Sequence, residues 1–376
     1  MNNDPCTGSN SNNILLSLRE WLVALVIFVV IVIATPILWR HSEKPKPSFP
    51  DYRVPYLLSN DYWVYDHHVR QMATETIPIV GDSVVWGEYV SRDGTLSHFL
   101  SEQADHSFAN AGVNGLYPLA LEGLIEHHGS SIRNRKVLLH CNLLWLSSPE
   151  RDLQSPKEQV FNHPQLIPQF SVRIPSYHAR IETRITREIG NRMPFLTWIN
   201  HLQEAHFGQQ SIPQWSVAQA EDNPDSYPNS YANPLAQIRM SIPGEPVNDP
   251  ERGTDSPRHQ SWAGSPQNLD WVALENSLQW HAFQRLVSRL QSRGNDVYVI
   301  VGPLNQHKLT VANRGRFLKL ENGVGRWLSK NNVRYWIAAT LPSKSYADAS
   351  HPLTEGYREL AGKILGEQSF TEWLDH

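Results

Sequence analysis

The chain has 376 residues, 40% of them hydrophobic and 19% charged, with 33 basic side chains against 37 acidic ones and a net charge of −4. That length supports a sizeable core, and so even a charge balance offers no electrostatic footprint for nucleic acid, which argues against a nucleic-acid partner. Cys6 and Cys141 lie on opposite sides of a long apolar run and are not expected to pair within one chain.

That apolar run, Trp21 to Trp39, carries no charge. As a helix it would reach about 28 Å, close to the hydrocarbon thickness of a bilayer. Tryptophans at both ends suit the interfaces and Arg19 and Arg40 bracket the span, so residues 21–40 are expected to form a transmembrane anchor behind an N-terminal tail, residues 1–20. A cleaved signal peptide is the competing reading, but the run exceeds a usual signal core and no clear Ala-x-Ala site follows it. Arg19 on one side, against Arg40, Lys44, Lys46 and Arg53 on the other, would leave the following domain in the cytoplasm. Residues 41–61, with Lys-Pro-Lys-Pro, Pro50 and Pro55, read as an extended tether, and the folded domain is expected over 62–376.

Ile77, Ile79 and Val80 mark a short buried strand that stops at Gly81. After the turn Gly81-Asp82-Ser83, the spacing of Val84, Val85, Trp86, Tyr89 and Val90 predicts one helical stretch with a buried face. A serine on a strand-to-helix turn exposes its hydroxyl at the strand's carboxyl end, beside helix N-terminal amides that can meet an oxyanion. Taken alone, Gly-Asp-Ser is also ordinary turn and capping chemistry.

A short strand at Ser107–Asn110, a helix over Leu116–His127 and a strand over Lys136–Asn142 follow. From about residue 147 to 268 the rhythm breaks into a long insertion rich in Pro, Asn, Gln, Ser and Gly. Within it Ile181, Ile185 and Ile189, then Phe195, Leu196, Trp198, Ile199 and Leu202, form an apolar stripe interrupted by Pro194, with Arg180, Arg184 and Arg187 on another face. A packed helix with a solvated basic face is the expectation, because Glu182 and Glu188 dilute the charge that a membrane- or polyanion-binding segment would need.

Beyond the insertion come a helix over Leu274–Leu290, a strand over Asp296–Val301, a helix over Phe317–Leu328 and a last strand over Val333–Ala338. Strands alternating with helices predict an α/β domain with a mainly parallel sheet, whose sites form outside the strands' carboxyl ends. The loop Ala339–Ser350 then delivers Asp348-Ala-Ser-His351-Pro ahead of a C-terminal helix through Leu360, Ala361, Ile364 and Leu365. A serine nucleophile needs a base, and the base needs an acceptor on its other nitrogen. His351 and Asp348 can supply both.

Gly81-Asp82-Ser83, the block Asn110-Ala-Gly112-Val-Asn-Gly115 and Asp348-x-x-His351-Pro resemble, in this order, the motifs of the SGNH hydrolases, or GDSL esterases. Val84 replaces the usual leucine after the serine. The third block, normally Gly-x-Asn-Asp, corresponds to His140-Cys141-Asn142-Leu143, which keeps the asparagine and lacks the glycine and the aspartate. The resemblance implies a flavodoxin-like three-layer sandwich with five strands, catalytic Ser83, His351 and Asp348, an oxyanion hole that includes Gly115 and Asn142, and no cofactor or metal. It further implies acyl-ester chemistry, as an esterase or O-acetyltransferase. Anchored members commonly act on cell-envelope or extracellular glycans, and the combination is similar to proteins of bacterial alginate and other polysaccharide O-acetylation. An extracytoplasmic domain, a glycan substrate and partner proteins of a polysaccharide-modifying system are therefore expected, against the flanking-charge count. The alternative is an inactive membrane-anchored glycan-binding or scaffolding module.

Two composition signals remain. The 17 histidines prompt a search for metal ligands. No His-Glu-x-x-His or Cys-x-x-Cys pattern occurs, and His201 and His206 are expected on different helix faces, so no metal site is predicted. The pairs His67-His68 and His127-His128 read as surface residues, and the 13 tryptophans as core packing rather than sugar stacking.

Overall fold

A computed structural model describes residues 17–44, 52–207, 238–242 and 264–375. The chain divides into two compact units between Ser42 and Glu43. The first is the helix α1, Leu18–Ser42, whose 25 residues are long and apolar enough to cross a membrane. It starts three residues before Trp21 because Ser17 and Glu20 form a capping box: Glu20 Oε2 accepts the Ser17 N–H at 2.7 Å and Ser17 Oγ accepts the Glu20 N–H at 3.4 Å.

The second unit is an α/β domain on an all-parallel sheet of order β2-β1-β3-β4-β5, formed by β1 (Ile77–Gly81), β2 (Phe108–Gly112), β3 (Lys136–Cys141), β4 (Asp296–Val301) and β5 (Arg334–Ile337). The register sets Gly81 beside Gly112, Leu139 beside Val80, and Cys141 beside Val301. Alternate residues feed two separate cores: Val80, Val137, Leu139 and Val299 in one, Ile79, Leu138, Tyr298 and Ile300 in the other. Both faces of these strands are thus buried, as parallel strands require. With β1 flanked by β2 on one side and β3 on the other, the connections leaving β1 and β3 run to opposite sides of the sheet, the switch point outside whose strand carboxyl ends open α/β sheets form their sites.

The helices are α2 (Tyr62–Gln71), α3 (Ser83–Trp86), α4 (Leu96–Gln103), α5 (Pro118–His128), α6 (Ile181–Arg192), α7 (Pro194–His206), α8 (Leu278–Ser292), α9 (Val311–Lys330), α10 (Thr354–Leu365) and α11 (Gln368–Asp375). Their limits depart from the periodicity where caps decide. α8 starts after Ser277, whose Oγ accepts the Trp280 N–H at 3.0 Å, and α9 starts at Val311 because Thr310 caps it in the same way at 3.4 Å. The single stretch expected after Ser83 is two helices, since Gly87 at φ 87° ends α3 in a left-handed cap and Thr95 starts α4.

Four expectations need correction. Glu43 and the stretch from Arg53 to Asp61 are packed into the domain rather than tethering it: Arg53 is buried, stacks 3.9 Å from the Trp86 ring centroid and donates to the carbonyls of Trp86, Gly87 and Val90 at 2.8–3.0 Å. Arg53 is therefore a structural charge and not part of the flanking-charge balance. His67 and His128 are buried, and His68 lies half-buried with Nε2 2.9 Å from the Asn110 carbonyl, so these pairs are not surface residues. On α6 the faces are reversed. Arg184 turns inward to the carbonyls of Gln169, Ala179 and Tyr177, while Ile181, Ile185 and Ile189 remain about half exposed among the described residues. The fourth correction concerns His201 and His206, taken up below. The Pro-rich part of the insertion falls mostly outside the described residues, as does Cys6; Cys141 is a buried free thiol whose pKa burial pushes up.

Candidate active site

Ser83 opens α3 directly after β1, and the turn that places it is held by Asp82, whose Oδ1 accepts the Val84 N–H at 3.0 Å. Gly81 is needed here because a Cβ would lie 2.9 Å from the Cβ of His140 and against Val85. On the opposite side of the serine, His351 Nε2 is 2.8 Å from Ser83 Oγ. His351 Nδ1 in turn lies 2.8 Å from Asp348 Oδ2 and 2.9 Å from Oδ1. A carboxylate only accepts, so Nδ1 carries the proton and the Nε2 lone pair faces the serine hydroxyl.

The Asp348–His351 turn is fixed from several directions. Asp348 Oδ1 accepts the backbone N–H groups of Ser350 at 2.8 Å and His351 at 3.0 Å. Asn305, in the loop after β4, donates its backbone N–H to Ala349 O at 2.8 Å and its side-chain amide to Asp348 O at 3.2 Å. The Tyr89 ring stands edge-on to His351, centroids 5.3 Å apart. Burial pushes Asp348 up, but the charge of His351, its hydrogen bond and the two backbone donors outweigh this and hold the carboxyl well below the usual range. Burial pulls His351 down, yet the Asp348 charge and hydrogen bond, followed by Asp82 and Glu88, leave its pKa raised.

A second group of side chains stands behind the serine turn. Asp82 Oδ2 accepts from Asn142 Nδ2 at 2.7 Å and from Trp145 Nε1 at 2.9 Å. Asn142 Oδ1 accepts the Leu144 N–H at 3.0 Å, which fixes which end of the amide faces Asp82. One of its two N–H bonds is thereby spent and the other is left. His140 Nε2 donates to Gly302 O at 2.9 Å, and its Nδ1 lies 3.2 Å from Asp82 Oδ1 without hydrogen-bond alignment. Burial raises the Asp82 pKa, and His140, Trp145 and Asn142 bring it down to about 2.

Gly115 follows β2 at φ 75°, a conformation that favours glycine, and a Cβ there would meet Asn162 Nδ2 at 3.2 Å and His163 Nε2 at 3.4 Å. His163 braces this loop: its Nε2 donates to Asn114 O at 2.8 Å and its Nδ1 accepts from Tyr62 Oη at 3.2 Å. Burial lowers the His163 pKa to about 4, so the ring stays neutral in that role. The backbone N–H groups of Ser83 and Gly115 have no acceptor among the described residues.

Of the five residues singled out from sequence, Ser83, His351 and Asp348 are thus in direct hydrogen-bonded succession, and Asn142 joins them through Asp82. Gly115 lies on the loop that leaves β2, whose last residue pairs with Gly81 at the end of β1. Residues missed by sequence reasoning are Trp145, His140 and Asn305, with His163 from the insertion. His140 stood in the third block only as the replacement for its glycine, and the others carried no signal. No protein-family model matches the chain, and no curated protein matches it either. Fold and site together define an α/β protein with a serine, a histidine and an aspartate aligned at the carboxyl ends of a parallel sheet.

Proposed function

We propose that this protein performs serine-dependent acyl-ester chemistry, as an esterase or O-acetyltransferase acting on acetylated cell-envelope or extracellular polysaccharide through an acyl-Ser83 intermediate. The observation that carries this reading is His351 standing 2.8 Å from Ser83 Oγ with Asp348 on its other nitrogen. The 2-1-3-4-5 strand order is the one a flavodoxin-like sandwich would have, and α1 is long and apolar enough to serve as a single-pass anchor.

In this mechanism Ser83 Oγ attacks the ester carbonyl carbon while its proton passes to His351 Nε2. The carbonyl π electrons move to oxygen, and the resulting oxyanion is met by the Ser83 and Gly115 N–H groups and by the remaining Asn142 N–H. Each such donor is worth about 3 kcal/mol in the transition state. Asp348 steadies the imidazolium. The leaving alcohol departs with the Nε2 proton, and the acyl group remains on Ser83. Water, deprotonated by Nε2, then releases the acid, or a sugar hydroxyl takes the acyl group in the same way.

The test is labelling of the full-length protein by a serine-directed fluorophosphonate, beside Ser83→Ala. Label that requires Ser83 is expected; label absent from the folded wild type, or retained in the variant, overturns the reading. Turnover of a small acetyl ester, with and without an oligosaccharide acceptor, then separates hydrolysis from transfer.

A further inference from the structure

Away from Ser83 the domain holds a second cluster of titratable side chains. One ligand atom each from Glu43, the first residue of the second unit, and from His201 and His206 of α7 lie within 4.8 Å of one another. The His201 side chain is wholly buried, with Nε2 2.9 Å from Glu43 Oε1 and Nδ1 2.7 Å from Asp61 Oδ2. Trp63 Nε1 donates to the other Glu43 oxygen at 2.8 Å, and its indole stacks on the His201 ring at 5.9 Å between centroids. His206 stands edge-on to His201, centroids 5.5 Å apart, and its buried Nε2 has no hydrogen-bond partner among the described residues. Such an unpartnered buried atom calls for an explanation.

We propose that Glu43, His201 and His206 bind a divalent transition-metal ion, zinc in preference to others, which pins the chain just after α1 to the domain. Two imidazoles and a carboxylate, with a fourth position for water, suit zinc, whereas magnesium and calcium ask for oxygen donors. Asp61 already occupies the outer place that a metal-bound histidine needs, accepting the Nδ1 proton and leaving Nε2 to the ion.

Charge points the same way. Without an ion, both His201 nitrogens must carry protons to donate to Glu43 and Asp61, and one negative charge stays uncompensated in a buried site. A divalent ion in place of the Nε2 proton cancels both carboxylates and supplies the partner that His206 Nε2 lacks among the described residues. Zinc ligands at about 2.1 Å stand roughly 3.4 Å apart, so the His201–Glu43 contact opens slightly and His206 turns in through its side-chain torsions. The expectation that helix faces separate the two histidines fails because the rings of His201 and of His206, the last residue of α7, meet edge-on.

The test uses full-length protein in detergent, stripped with EDTA and dialysed, then titrated with zinc or magnesium and followed by metal content and thermal unfolding. About one zinc per chain and a rise in Tm with zinc but not magnesium are expected. His206→Ala, partly exposed and so compatible with folding, should lose the bound zinc and the Tm rise while keeping the wild-type circular dichroism. Asp61→Asn, which preserves the cap of α2, should weaken zinc about 10–100-fold. Zinc bound substoichiometrically by the wild type, or equally well by His206→Ala, overturns the assignment. None of these readouts depends on ester turnover.

Discussion

His351 and His201 each lie within 2.9 Å of an oxygen at both ring nitrogens, yet they differ in what those oxygens belong to. His351 has a carboxylate on one side and a hydroxyl on the other; His201 has a carboxylate on each. A hydroxyl can donate, so His351 keeps a lone pair at Nε2 and can take and return a proton. A carboxylate cannot, so His201 Nε2 must hold a proton or an ion for the contact with Glu43 to be favourable. Both pKa values are raised by neighbouring acids, so a perturbed pKa does not tell the base from the brace. The identity of the second acceptor does.

The sharpest way to break this contrast is to disable each ring's partner in turn. Ser83→Ala is expected to reduce ester turnover by roughly 10⁴–10⁶-fold with little change in Tm. Asp348→Asn, by steady-state kinetics, should cost about 10⁴-fold, because an amide can no longer impose the tautomer that leaves Nε2 free. The pH profile adds a sign. In the proposed mechanism turnover needs neutral His351, whose pKa is raised, so activity should rise with pH through a midpoint above the ordinary histidine value of about 6.5. In Asp348→Asn that midpoint should move to lower pH. A limb that stays in place would mean that Asp348 does not govern the base.

His201 should respond in stability and not in turnover. His201→Ala leaves Glu43 and Asp61 facing each other unpaired in a site with no exposed side chain, and a loss of about 3–5 kcal/mol by urea unfolding is expected. Turnover per folded molecule should stay within a few-fold. In metal-free protein the pH dependence follows from the shift: burial lowers the His201 pKa, but Asp61 and Glu43 raise it to about 10. The stabilisation is therefore complete below the unfolded value near 6.5 and is lost as pH rises through about 10. His201→Ala should abolish that slope, and a slope that survives would assign it to another group.

What was legible in the sequence is what is local. The strand ending at Gly81, the serine turn, and Asp348 with His351 three residues on are short-range patterns, and the parallel α/β order follows from alternating elements. What was not legible depends on contacts between distant segments. Glu43 meets His201 across 158 positions, and Asn305 reaches the Asp348 turn from another strand's loop. On α6, periodicity identified two faces but turned the wrong one inward. The inward face was chosen by carbonyls at Gln169, Ala179 and Tyr177 that a guanidinium satisfies and an isoleucine cannot.

Within the serine site the smallest expected loss of turnover concerns the pair behind the serine, and it sharpens the comparison because Asp82 is a third buried acid with its own donors. Asn142 Nδ2 donates to Asp82 at 2.7 Å, so this carboxylate decides where the remaining Asn142 N–H points. Asn142→Ala should lower turnover about 10²–10³-fold through loss of an oxyanion donor, with KM for a small ester little changed. Asp82→Asn keeps an oxygen to cap α3 but weakens the hold on Asn142 and on Trp145. If Asp82 acts by aiming that amide, the double variant should lose little more than Asn142→Ala alone; additive losses would instead place Asp82 in the field around His351.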